Sequence, residues 1–175
     1  MNPTFQQLKQ KLSSELRGLN SAQTQLRLKG DPSSWTIQQV VEHLLLTYDS
    51  TASSFQTRLA KGTPTLTRPT PAHRTAQFVV ITLGLMPGRR KAPPEVTPST
   101  SAAALSGEQL IQSVSETIAR LNAVIQQAEN SFVRQRCLSH FALGPLTVDQ
   151  WRRFHLSHGR HHIRQIAAIR RTHGL

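Results

Sequence analysis

The sequence predicts an all-α fold, an antiparallel four-helix bundle with long Pro-rich crossover loops. Three observations carry this. Apolar residues recur at helical spacing in four long or medium stretches, and no stretch alternates convincingly as a strand. Two Pro-rich segments separate the second stretch from the third. A length of 175 residues suits one domain, 1–175.

Leu8, Leu12, Leu16 and Leu19 mark a first helix from about Pro3 to Asn20, with Pro3 suited to its first turn. Asp31-Pro32-Ser33-Ser34 reads as a turn. A second helix runs from about Thr36 to Ala60 on Ile37, Val40, Val41, Leu44, Leu45, Tyr48, Phe55 and Leu59, and Gly62-Thr63-Pro64 stops it. Lys61 to Pro71 reads as loop. Phe78 to Met86 reads as a short apolar helix or strand, far too short to span a bilayer. A second Pro-rich loop follows to about Ala104. Leu110, Ile111, Val114, Ile118, Leu121 and Ile125 mark a third helix from Gly107 to Glu129. The last begins near Thr147, which can cap it, and runs to about Arg171.

Lys and Arg number 21 against 9 Asp and Glu, a net charge of +12. That excess permits a nucleic acid, an anionic membrane or an acidic ligand as partner. Aromatic residues are only 5% and do not interleave with the arginines, which disfavours a single-strand stacking platform. One cysteine, Cys137, excludes an internal disulfide and a Cys-rich zinc module, and reads as a packing residue. The N-terminus has no basic head and apolar core, so a cytoplasmic protein without a membrane partner is expected.

The last helix is the most informative. Trp151, His155, His158, His162, Gln165 and Ile169 fall within an arc of about 80°, the seam of a bundle. Arg152, Arg153, Arg160, Arg164, Arg170 and Arg171 lie about 120° or more from His158 and are expected to face outward. Histidines on a seam that should hold Leu or Ile need partners for their ring nitrogens. A divalent metal supplies one, because His at i and i+4, here His158 and His162, can face one ion. His43, at the edge of the second helix's apolar arc, is the best third ligand; Glu42 lies on another side. His155 is an outer partner or alternative ligand, His140 could approach from a loop, and His161 and Gln165 are further outer candidates. Gly159, where a zincin has its Glu, leaves any chemistry to metal-bound water, metal-bound thiolate or a residue outside this helix. Gly159 itself is either a close-approach position or a tolerated small residue. Trp35 and Trp151 read as core anchors. Three imidazoles and water suit Zn or Ni.

Trp35-Thr36-Ile37-Gln38-Gln39-Val40-Val41-Glu42-His43-Leu44 resembles the tryptophan-to-histidine segment that opens the second helix of the DinB-like (YfiT-like) superfamily. His158-Gly159-Arg160-His161-His162-Ile163-Arg164-Gln165-Ile166 resembles that family's closing H-x-x-H-H-x-x-Q-I. The stretch His140 to Trp151 is similar to an uncharacterised branch. The resemblance implies a four-helix bundle, often a homodimer, with a divalent metal held by His43, His158, His162 and water. It further implies thiol-dependent S-transfer, isomerisation using a low-molecular-weight thiol, or metal-dependent hydrolysis. Arg89, Arg90 and Lys91 would attract a carboxylate-bearing thiol cofactor or a small acidic substrate. The competing reading is a basic bundle that binds nucleic acid or another partner, its metal site structural or vestigial.

Overall fold

The computed structural model of the chain describes residues 1–65, 67–86, 92–99 and 103–175. Four long helices carry the fold: α1 (Pro3–Leu16), α3 (Ile37–Lys61), α5 (Gly107–Phe132) and α6 (Val148–His173). Between them come α2 (Ser21–Thr24), α4 (Pro71–Gln77) running into a π-helical turn (Phe78–Thr82), and a 3₁₀ turn (Pro94–Val96). Two short strands, β1 (Arg136–His140) and β2 (Gly144–Thr147), precede α6.

Capping chemistry sets the starts. Thr36, Ser106 and Thr147 each accept from the backbone N–H three residues on, while Gln39, Gln109 and Gln150 reach back to the cap's own N–H. Gly62 and Gly174, both left-handed, end α3 and α6. The apolar stripes then meet. Phe5, Leu8, Leu12 and Leu16 of α1 are fully buried with Ile37, Leu44, Tyr48 and Phe55 of α3 and Val114, Ile118, Leu121 and Ile125 of α5.

The helix directions are mixed rather than uniformly antiparallel. Gln7 meets Arg160 and Glu15 meets Arg170, so α1 and α6 run the same way. Gln38 meets Leu105 and Asp49 meets Arg120, so α3 and α5 also run together. His43 faces His158 while Phe55 faces Trp151, which makes α3 and α6 antiparallel. A chain entering α5 in the direction of α3 must first return to the same end of the bundle. The Pro-rich crossover performs that return.

Further expectations change. The fold is not purely helical: β1 and β2 pair antiparallel, with an irregular register between Arg136 and Leu138. The strands are short, carry Pro145 and a positive-φ Gly144, and so show no clean alternation. The crossover also carries a helix that was not expected, α4, capped by the Thr70 hydroxyl, while the apolar run from Phe78, expected as a short helix or strand, turns as a π-helix.

Gly159 is a close-approach position. A Cβ there would collide with the Leu8 side chain, so its hydrogen lets α1 and α6 touch. Arg152 does not face outward. It is 5% exposed and forms a two-pronged pair with Glu129 of α5, at 2.7 and 2.6 Å. Its place beside the apolar arc meets a helix, and the pair satisfies the charge.

Candidate metal centre

α3 and α6 bring three imidazoles to one point. His43 Nε2 lies 3.2 Å from His158 Nε2, and His162 Nε2 lies 3.0 Å from His158 Nε2. All three side chains are buried, and one ring nitrogen from each lies within 4.8 Å of the others. The i, i+4 spacing on α6 stacks two of them, and His43 projects from the seventh position of α3, well inside its capped start.

The protons on these rings can be assigned. A carbonyl oxygen only accepts, so the 2.7 Å contact of His43 Nδ1 with Val96 O is a donation from Nδ1, and His43 Nε2 carries the lone pair. His162 Nδ1 donates to Gln165 Oε1 at 2.6 Å, which leaves its Nε2 lone pair facing inward as well. One N–H on His158 Nε2 could satisfy only one of these two acceptors. A divalent cation satisfies all three, and tetrahedral bonds of about 2.0–2.1 Å place donor nitrogens about 3.3–3.4 Å apart, within a few tenths of an ångström of the 3.2 and 3.0 Å separations here. The residues therefore fit a metal.

Electrostatics agree. Burial, first, lowers the pKa of all three histidines below the ordinary value; the neighbouring imidazoles lower it further. His162 is held at about 3. Rings that stay neutral at working pH keep their lone pairs for a cation.

The other candidates fall elsewhere. His155 is fully buried one layer deeper, edge-on to Tyr48 at 5.3 Å between ring centroids. His161 is half-buried, its ring edge-on to His162 at 5.0 Å, outside the convergent set. His140 sits on β1; its Nδ1 accepts from the N–H groups of Ala142 and Leu143, and it packs against Phe154, so it shapes the hairpin and does not join the triad. Glu42 accepts from Gln38 at 2.9 Å. Cys137 is buried and burial pushes its thiol up to about 11, which suits packing. Arg89, Arg90 and Lys91 lie outside the described residues.

The sequence reading missed two members of the site. Trp35 is a wall of it as well as a packing residue, its ring 5.0 Å from that of His43 and stacked 6.5 Å from that of His162. Its place directly before the cap of the His43 helix was the available signal. The Val96 carbonyl gave no signal, because a backbone acceptor depends on loop geometry. The loop reaches it through Gln39, which donates to Ser99 O at 3.3 Å, and Gln38, which donates to Ala103 O at 2.9 Å.

Residues 4–166 match the family model of the DinB superfamily. Among solved structures, the chain is similar to YfiT from Bacillus subtilis, described as "a probable metal-dependent hydrolase with an unusual four-helix bundle topology". The TM-score is 0.60 at 17% identity, over 98% of this chain and 84% of that one, a likeness of fold. No curated protein matches the chain.

Proposed function

This chain belongs to the DinB superfamily, and on that premise we propose that it is a metal-dependent enzyme acting on a small, acidic electrophile with a low-molecular-weight thiol or water as nucleophile. The convergence of three ring nitrogens from His43, His158 and His162 carries the reading. A divalent ion held by three imidazoles, Zn or Ni by donor type, supplies Lewis acidity and a nucleophile at neutral pH. The chain's own residues do the rest. Val96 and Gln165 fix the tautomers of His43 and His162, so two of the three donors are set before any ligand arrives. Trp35 walls one side of the rings. Cys137 is buried with Leu146 in the hairpin, so sulfur chemistry needs a thiol from outside. The similar YfiT structure, described as "a probable metal-dependent hydrolase", supports the water version; the excess of positive charge supports an acidic ligand. The homodimer that the resemblance implies is part of this proposal and is read by light scattering.

The experiment is metal analysis of the purified protein beside His43→Ala and His158→Ala, followed by turnover of a carboxylate-bearing electrophile with and without added thiol. One equivalent of metal, lost in both variants, and turnover abolished by a chelator are expected. Unchanged metal content in both variants would refute the ligand assignment.

A further inference from the structure

The three converging imidazoles differ in what stands behind them. His43 has the Val96 carbonyl and His162 has Gln165. His158 Nδ1 is buried and has no hydrogen-bond partner among the described residues. One layer deeper, between the same two helices, lie His155 and Tyr48, neither with any exposed surface. Both His155 nitrogens and the Tyr48 hydroxyl are also without a partner among the described residues. Their surroundings cannot serve them. Phe5, Trp151 and Phe154 turn ring faces or edges to His155, and the Trp151 N–H is already given to Leu138 O. The seam thus carries four buried polar atoms without a partner among the described residues, one on His158 itself and three on Tyr48 and His155.

We propose that Tyr48 and His155 hold buried water against His158 Nδ1, forming the outer support of the third ligand; this rests on the metal reading above. The group is mixed in character. A neutral imidazole offers one donor and one acceptor, a phenol offers both, and His158 Nδ1–H donates. Water matches such a set, since a buried water makes about three hydrogen bonds to polar groups of either kind. Accepting from Nδ1–H fixes the His158 proton away from Nε2 and completes for this ring what Val96 and Gln165 do for the other two. Tyr48 and His155 are positioning residues: they act on the metal through His158.

The test compares the wild-type protein with Tyr48→Phe, His155→Leu and His155→Gln. Three quantities are read: the thermal midpoint of the metal-free protein, affinity in Co²⁺ titrations, and the visible absorption of the Co²⁺ form. The expected pattern is opposed. Tyr48→Phe and His155→Leu keep or raise the metal-free midpoint, bind Co²⁺ about 10-fold more weakly and shift its absorption bands. His155→Gln, which retains a donor and an acceptor, recovers part of the affinity. If His155→Leu does not fold, Tyr48→Phe, which deletes one oxygen, decides alone. Wild-type affinity and spectrum in the folded variants would overturn this inference alone. A wild-type protein that takes up no Co²⁺ overturns the metal reading and this inference together.

Discussion

A carbonyl can only accept a hydrogen bond, and at the scale of single residues that fact organises the site. Val96 O fixes the His43 tautomer and Gln165 fixes that of His162, so two lone pairs face His158 before any ion arrives. Gln165→Ala is therefore expected to weaken metal binding about 10-fold without unfolding the protein; isothermal titration would show it. Acid should act on the same rings. His155 and His162 have folded-state values of about 3 and His140 about 4, all pulled down by burial first. Their unfolded value is about 6.5. Above that, neither state binds the proton and stability is full. Below it, only the unfolded chain takes protons, and each ring removes about 1.4 kcal/mol of stability per pH unit until its folded value is reached. Urea midpoints of the metal-free protein should fall steadily from pH 7 to pH 5, and a flat profile would contradict the burial of these rings. The His158 and His162 pair and the reach of His43 were legible in the sequence, because face and spacing on a helix follow from a fixed angle per residue. The Val96 carbonyl and the unpartnered Tyr48 hydroxyl were not. One depends on where a loop lands, and the other on what a buried ring fails to meet.

At the scale of elements, helix contacts decide which small and charged residues matter. Gly159 admits Leu8 of α1, so Gly159→Ala should be overpacked by about 1–3 kcal/mol, partly offset by about 1 kcal/mol of gained helix propensity. A lowered urea midpoint is expected, and a raised one would mean that α1 and α6 lie farther apart. Arg152 shows the limit of angular reasoning. Its angle placed it with the exposed arginines, but a sixth of a turn at the edge of an arc is enough to meet Glu129 on α5. The hairpin was illegible for a different reason. Two short strands stabilised by their packing against α3 and α6 do not need a strong local signal, and Pro145 and Gly144 weaken what there is. Helix starts at Thr36, Gly107 and Thr147 could be read, because a cap's hydrogen bonds are local.

At the scale of the molecule, helix direction and metal are linked. Parallel α1–α6 and α3–α5 pairs require the long crossover, and that crossover delivers Val96 to His43. Its prolines were visible in the sequence, while its destination was not, since direction depends on which stripes pair. No helix among the described residues is long and apolar enough to cross a membrane. Because the folded chain gathers the ligands and the unfolded chain does not, saturating metal should raise the thermal midpoint. At one hundred times the dissociation constant the gain is about 2.7 kcal/mol, roughly 5–10 °C for a domain of this size. The rise should vanish in His158→Ala.

The most direct measurement is anomalous-difference density from crystals grown with Zn²⁺ or Ni²⁺. A single peak bonded to the Nε2 atoms of His43, His158 and His162, at about 2.0–2.1 Å, is the expected result. A peak at other residues, or none where the three rings meet, would contradict the account.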